Sequence, residues 1–476
     1  MTYKFLSSGK SSLIFAPIKI ALTLSLSGLM AVSVLAETEA QWGARALNIQ
    51  NTLDNDASLA QTTWVGTHNS FGNNDDDALI DVNQPSSLKQ QLNEGVRELV
   101  FDLHYDSSAI RMCHNNVTRY GECMNGITGN RKFYKGLDDI KAWINDGHQD
   151  QVILLKLELA KDARSNINKV EKKIDGHIYN YVYRTELTPT HGDLGKNGCT
   201  ALETASLSKS KVLNAGKNII LFTSESCIGD SGFNDMTFYS GNNIVDVSSA
   251  SSADSWSTNS KASLMARTKD GATKNGLLGN DSVKMKPSNV SAFRLAGLNI
   301  FETYGFGATG SAWKIAGEYP VGPEDMVWSW SAGEPSGSGS CSQLSAADNR
   351  FVDVACSGDF YASCRKFVNS DGSRANNQWR VTTQKVSLNN AETQCLQEGN
   401  GEYFFATPRN AVELQMLVNQ RSQQGQSGNL WLNYQKNSAS WSADIGEADD
   451  DMVSQCATGL ATSICSYLTE YRNLIK

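Results

Sequence analysis

The sequence predicts an α/β protein: a TIM-type β/α barrel followed by a small disulfide-bonded α+β domain. Short apolar runs alternate with helical patterns from Gln61 to about Thr303, which points to a parallel sheet with crossovers. Those runs are nearly continuous in apolar residues, as strands covered on both faces are. The region is roughly 250 to 300 residues long, which favours a closed barrel over an open doubly wound sheet, the second architecture considered.

In chain order, "TTWVG", "RELVFDL", "QVILLKLEL", "NIILFT" and "LNIFET" read as buried strands. "SSLKQQLNEG" and "GLDDIKAWINDG" carry helical spacing and stop at glycine. None of these strands leads into GxGxxG or GxxxxGK[ST], so nucleotide binding has no support. The stretch 231–284 is rich in Ser, Asn, Asp and Gly and reads as a surface excursion or lid. "SAGEPSGSGSCS", residues 331–342, reads as a linker. The expected division is 1–36, 37–335 and 336–476.

The first segment reads as a secretion signal. Lys4, Lys10 and Lys19 precede the apolar stretch 20–36, which ends in Val34-Leu35-Ala36. Its Ser and Thr content and small-residue end favour removal over a membrane anchor. Export fits the 10 cysteines, an even number allowing up to five disulfides. Cys113 and Cys123 bracket one short loop and make a plausible pair, while six cysteines gather in the last third. Asn116, Asn280 and Asn289 head glycosylation-type triplets. A net charge of −8 argues against nucleic acid and leaves only local, transient contact with anionic lipid.

Polar residues fall at the carboxyl ends of the predicted strands, where barrel active sites form. These are His68, Asp102, His104, His114 and Glu158. Two histidines flanking a phosphodiester suit general acid–base cleavage, since imidazole takes or gives a proton near neutral pH. Carboxylates with an amide oxygen suit a hard cation. Each residue has a plainer reading as well. Asp102 pairs with Arg97 or Arg111, Glu158 pairs with Lys156, and His148, His177 and His191 are surface residues. Trp328 and Trp330 are core, and the runs 75–77 and 449–451 are solvated loops.

"GTHNSF", "QLNEGVRELVFDLH", "RMCHN" and "VILLKLELA" resemble, in order and spacing, the X-domain of phosphatidylinositol-specific phospholipase C. The resemblance spans roughly residues 60 to 335 and implies a TIM-type barrel. It implies that His68 is the base activating the inositol 2-hydroxyl and His114 the acid for the glycerol oxygen. It also implies a calcium or magnesium site on Asn69, Asp102 and Glu158, with His104 touching phosphate or metal. The family's first acidic position on the second strand is Val100 here, and His104 stands where metal-independent bacterial members carry Arg. Glu302, ending "LNIFE", is a candidate to orient one histidine.

Residues 376–435 resemble the first half of a C-type-lectin-like fold. The calcium–sugar motifs of that fold are absent, so a docking or structural module is expected, with a glycan or cell-surface ligand as the alternative. The expected protein is a secreted phospholipase C acting on phosphatidylinositol at a membrane surface. The rivals are the same barrel acting on another phospholipid or sphingolipid, and an inactive binding protein.

Overall fold

The computed structural model describes residues 37–73, 75, 82–106, 108–113, 123, 131–184, 199–225, 227–228, 231–254, 263–268, 285–309, 313, 317–366, 378–438 and 440–443. Eight parallel strands form the framework: β1 (Trp64–Thr67), β2 (Glu98–Asp106), β5 (Ile153–Leu159), β6 (Ile219–Thr223), β7 (Phe238–Tyr239), β8 (Ile244–Val247), β9 (Met265–Thr268) and β10 (Ile300–Thr303). Their order across the sheet is β7-β6-β5-β2-β1-β10-β9-β8. Sequence order therefore runs round the ring, with β10 beside β1, as in a TIM barrel. Pairing is interrupted only between β7 and β8 among the described residues. Two short strands, β3 (Ala109–Met112) and β4 (Arg131–Lys132), extend the edge of β2 antiparallel.

Alternation along each strand separates two cores. Leu99, Phe101, Leu103, Leu155 and Leu157 join the layer packed on the helices. Trp64, Leu154, Ile220, Phe222, Phe238, Met265 and Ile300 form a second apolar cluster on the other face, inside the barrel. The excursion expected at 231–284 is corrected here, because β7, β8 and β9 lie within it. Strands of two to four residues offer too little apolar length to stand out from a Ser- and Asn-rich background.

The C-terminal region is an α+β module. Strands β11 (Cys341–Leu344), β12 (Phe351–Val354), β13 (Asp359–Lys366), β14 (Gln378–Val381) and β17 (Leu430–Asn437) lie in the order β12-β11-β17-β13-β14, with helices Ala391–Glu398 and Ala411–Gln423. β15 (Val386–Ser387), β16 (Phe404–Phe405) and β18 (Ser440–Ser442) attach at its margins. Disulfides Cys341–Cys356 and Cys364–Cys395 staple the module, and Cys113–Cys123 and Cys199–Cys227 staple the barrel.

The stretch 331–342 is held in place and does not behave as a free linker. Asp353 accepts from Ser336 Oγ, Ser338 Oγ and the Gly339 amide. Trp42 Nε1 donates to the Glu334 carbonyl at 2.7 Å, from helix Glu39–Gln50. Tyr434 OH donates to the Ile49 carbonyl, and the Trp330 ring packs on Trp441 at 4.9 Å. Trp328 and Trp330 are core, as expected. Gly/Ser composition measures local freedom and carries no information about distant carboxylates that take up the amides.

Candidate active site

The inward faces of β1, β2, β5, β9 and β10 carry a charged layer above the apolar plug. Parity puts Glu98, Val100, Asp102 and His104 on one face of β2. Register sets Glu98 beside Leu154, Val100 beside Lys156 and Asp102 beside Glu158. Gly66 stands next to both Glu98 and Glu302. A Cβ there would lie 2.0 Å from Glu98 Oε2, so a larger residue would force this carboxyl to move.

His68 follows β1 on the rim and is 12% exposed. Its amide donates to the Thr303 carbonyl, and its own carbonyl accepts from Gln84 Nε2 at 2.8 Å. His68 Nδ1 lies 2.7 Å from Glu302 Oε1, and Arg267 Nη1 lies 3.2 Å from Glu302 Oε2. Arg267 Nε in turn donates to Asp246 Oδ1 at 3.0 Å. Burial alone would raise Glu302, but Arg267, His68 and Lys156 outweigh it and hold the carboxyl down at about 2. An ionised carboxylate only accepts, so Nδ1 carries the proton in this contact.

Glu302 thus holds the position the sequence proposed, as the orienter of His68. Arg267, Asp246 and Gln84 were not foreseen. Arg267 sits in a four-residue strand inside the supposed excursion, where only the arginine within "LMART" offered a signal.

Asn69 adopts φ 46°, a conformation asparagine tolerates better than most residues. It is buried, and its amide oxygen and nitrogen have no hydrogen-bond partner among the described residues. Ser70, next along, donates its amide to the Val100 carbonyl and accepts the Val100 amide at 2.9 Å, which fixes the turn against β2.

Asp102, midway along β2 rather than at its end, is the register neighbour of Glu158 near the carboxyl end of β5. The plainer reading of Asp102 through Arg97 does not hold, because Arg97 takes the outer face and stacks on Trp143 at 4.6 Å. Arg111 approaches Asp106 at 3.4 Å. Glu158 accepts a hydrogen bond from the buried Lys156 ammonium. His104 Nδ1 is 3.4 Å from Asp162 Oδ1. His114 lies outside the described residues, as do His191, Asn116, Asn280 and the run 449–451. The amide of Cys113, immediately before His114, donates to the Asp102 carbonyl at 3.1 Å. His148 packs on Trp143 and His177 bonds Asp138, so neither belongs to this site.

A divalent cation fits this donor set poorly. Lys156 places a positive charge directly on Glu158, one of the expected ligands, and Val100 supplies no donor at all. No group of three or more His, Cys, Asp or Glu side chains is placed to hold a metal among the described residues. The sequence-based expectation of calcium or magnesium on Asn69, Asp102 and Glu158 therefore meets a site whose cations are Lys156 and Arg267.

Glu98 is fully buried, and neither carboxyl oxygen has a hydrogen-bond partner among the described residues. Burial first, and then the Glu302 charge, push its proton affinity well above the ordinary carboxylate range against the opposing pull of Arg267 and Lys156. Of the Glu98–Glu302 pair, Glu98 is the member that holds its proton more tightly.

Residues 31–261 match the model of the Rv2075c PI-PLC-like domain. The uncharacterized proteins Rv2075c and MT2135 of two Mycobacterium tuberculosis strains are each 27% identical over 433 residues, covering 83% of this chain and 80% of theirs. A phosphatidylinositol-specific phospholipase C from Staphylococcus aureus has a TM-score of 0.37 at 14% identity, covering 60% of this chain and 97% of its own. The Listeria monocytogenes enzyme has a TM-score of 0.29 at 16% identity, covering 48% and 78%. A calcium-dependent phosphoinositol-specific phospholipase C from Pseudomonas sp. has a TM-score of 0.33 at 13% identity, covering 53% and 90%.

Proposed function

On the premise that residues 31–261 form a PI-PLC-like domain, we propose that the protein is a secreted phosphodiesterase of the phospholipase C type, cleaving phosphatidylinositol at a membrane surface. The PI-PLC-like fold supports phosphodiesterase chemistry in general. The observation that favours acid–base cleavage is the chain His68–Glu302–Arg267, which holds one imidazole nitrogen of His68 against a buried carboxylate at the barrel rim.

In this reading His68 Nε2 takes the proton of the inositol 2-hydroxyl as its oxygen attacks phosphorus. The bond from phosphorus to the glycerol oxygen breaks, and His114 protonates that oxygen to release diacylglycerol. The other product is an inositol phosphate, cyclic at first, which water opens in a second step. Lys156 supplies positive charge near the developing oxyanion, and His104 and the Asn69 amide supply hydrogen bonds. No step runs through a metal. Secretion is supported by the basic and apolar N-terminal stretch and by four disulfides among the described residues.

The test is turnover of phosphatidylinositol, phosphatidylcholine and glycerophosphoinositol by the native protein, His68→Ala and His114→Ala. Turnover of phosphatidylinositol that both substitutions abolish is expected. Activity on a different phosphodiester alone moves the proposal to another substrate. No activity on any of the three overturns it.

A further inference from the structure

A cavity of about 240 Å³ opens at the seam between the barrel and the C-terminal module. Its walls come from helix Pro287–Leu295 of the barrel, the loop leading into β12, and helix Ala411–Gln423 of the module. It shares no residue with the His68 site, so a ligand here would be independent of the proposed function.

Two guanidinium groups line this cavity, Arg294 and Arg350. Each donates one N–H to a main-chain carbonyl, Arg294 to Asp325 at 2.6 Å and Arg350 to Val327 at 2.9 Å. Neither has a carboxylate at ion-pair distance among the described residues. Asp348 also lines the cavity, but its carboxylate accepts from Ser331 Oγ and from the Arg350 backbone amide. Arg294 is 8% exposed, and burial together with the Arg350 charge lowers its hold on its proton. Asp325 and Asp348 offset part of the charge on Arg294 and Arg350 without forming ion pairs, and burial of two neighbouring cations remains costly. An anion between them removes that cost.

The remaining wall is mixed: Leu295, Trp328, Leu414 and Val418 give it an apolar strip, with Ser291, Asn349 and Gln415 beside them. Leu295 is 47% exposed and one of two large hydrophobic residues left exposed among the described residues. The volume falls below the range of about 300–1,000 Å³ usual for drug-sized ligands, so the occupant is small. We propose that this cavity binds a small amphipathic anion, its oxyanion held between Arg294 and Arg350 and a short apolar chain laid on Leu295, Leu414 and Val418.

The test is calorimetric titration of the full chain with hexanoate, 1-hexanol and inorganic phosphate, repeated on Arg350→Gln and Arg294→Gln with thermal melts to establish folding. Saturable hexanoate binding is expected, weakened about tenfold or more in Arg350→Gln as a charge-assisted contact is lost. 1-Hexanol and inorganic phosphate are each expected to bind more weakly than hexanoate. The Arg350 guanidinium donates to one main-chain carbonyl among the described residues, so its variant keeps the test open if Arg294→Gln does not fold. Absent hexanoate binding, or equal binding by Arg350→Gln, overturns the proposal. Equal binding of 1-hexanol overturns the role of the arginines, and equal binding of phosphate overturns that of the apolar wall.

Discussion

His68 Nδ1 and Glu302 Oε1 stand 2.7 Å apart across adjacent parallel strands, and this contact orients the imidazole at the barrel rim. Glu302→Gln keeps the shape but replaces a pure acceptor with an amide that can also donate. The neutral ring then loses its fixed tautomer and its partner for the imidazolium. Turnover of phosphatidylinositol is expected to fall on the order of 10²–10⁴-fold, the size of an acid–base contribution, with KM little changed. Steady-state kinetics of the folded variant check this.

The same carboxylate makes stability depend on acid. The Glu302 proton affinity is lowered from an ordinary 4.5 to about 2 in the folded protein. The unfolded chain therefore binds the extra proton first, and the stabilisation is complete above about pH 4.5 and lost as pH falls toward 2. Denaturant melts across that window should show a shallower acid slope for Glu302→Gln than for the native protein.

Glu98 has the opposite sign. Its folded-state proton affinity is raised, so the native state holds a proton the unfolded chain gives up, and stability declines as pH rises above about 4.5. Glu98→Gln keeps the volume and removes the titration. Its melting temperature relative to the native protein is expected to climb between pH 4 and pH 8, measured by thermal scans at each pH.

Much of this site is legible in the sequence because it lies at the ends of long apolar strands. "RELVFDLH" and "QVILLKLEL" fix the parity that puts Asp102 and Glu158 inside the barrel, and "LNIFE" does the same for Glu302. Arg267 is hidden because β9 is four residues long and its partners come from other strands. Lys156 was visible as a neighbour of Glu158, but its effect on a metal site depends on burial, which one sequence does not display. The pinned stretch 331–342 shows the same limit, since Asp353 and Trp42 act on it from elsewhere in the chain.

Lys156→Met removes the buried cation beside Glu158. Turnover is expected to fall about 10²-fold or more, since oxyanion stabilisation by one group is worth that much. Breaking the pair also costs on the order of 3 kcal/mol of stability. Chelation of divalent ions should leave native turnover unchanged. Loss of turnover on chelation, restored by calcium, would show that the metal expected from the sequence is required after all.

The C-terminal module and barrel should unfold together. Tyr434 bonds the Ile49 carbonyl and Trp441 packs on Trp330, which ties the module to the barrel. Limited proteolysis is expected to spare residues 331–342, and calorimetry to show one transition. Tyr434→Phe should lower stability by about 1 kcal/mol through the lost hydrogen bond.

The role of His68 as the base is decided by ³¹P NMR of phosphatidylinositol incubated with the native protein and with His68→Ala. A cyclic inositol phosphate signal is predicted from the native protein, formed on the order of 10²–10⁴-fold more slowly by the folded variant. Equal rates from the two proteins would contradict that role.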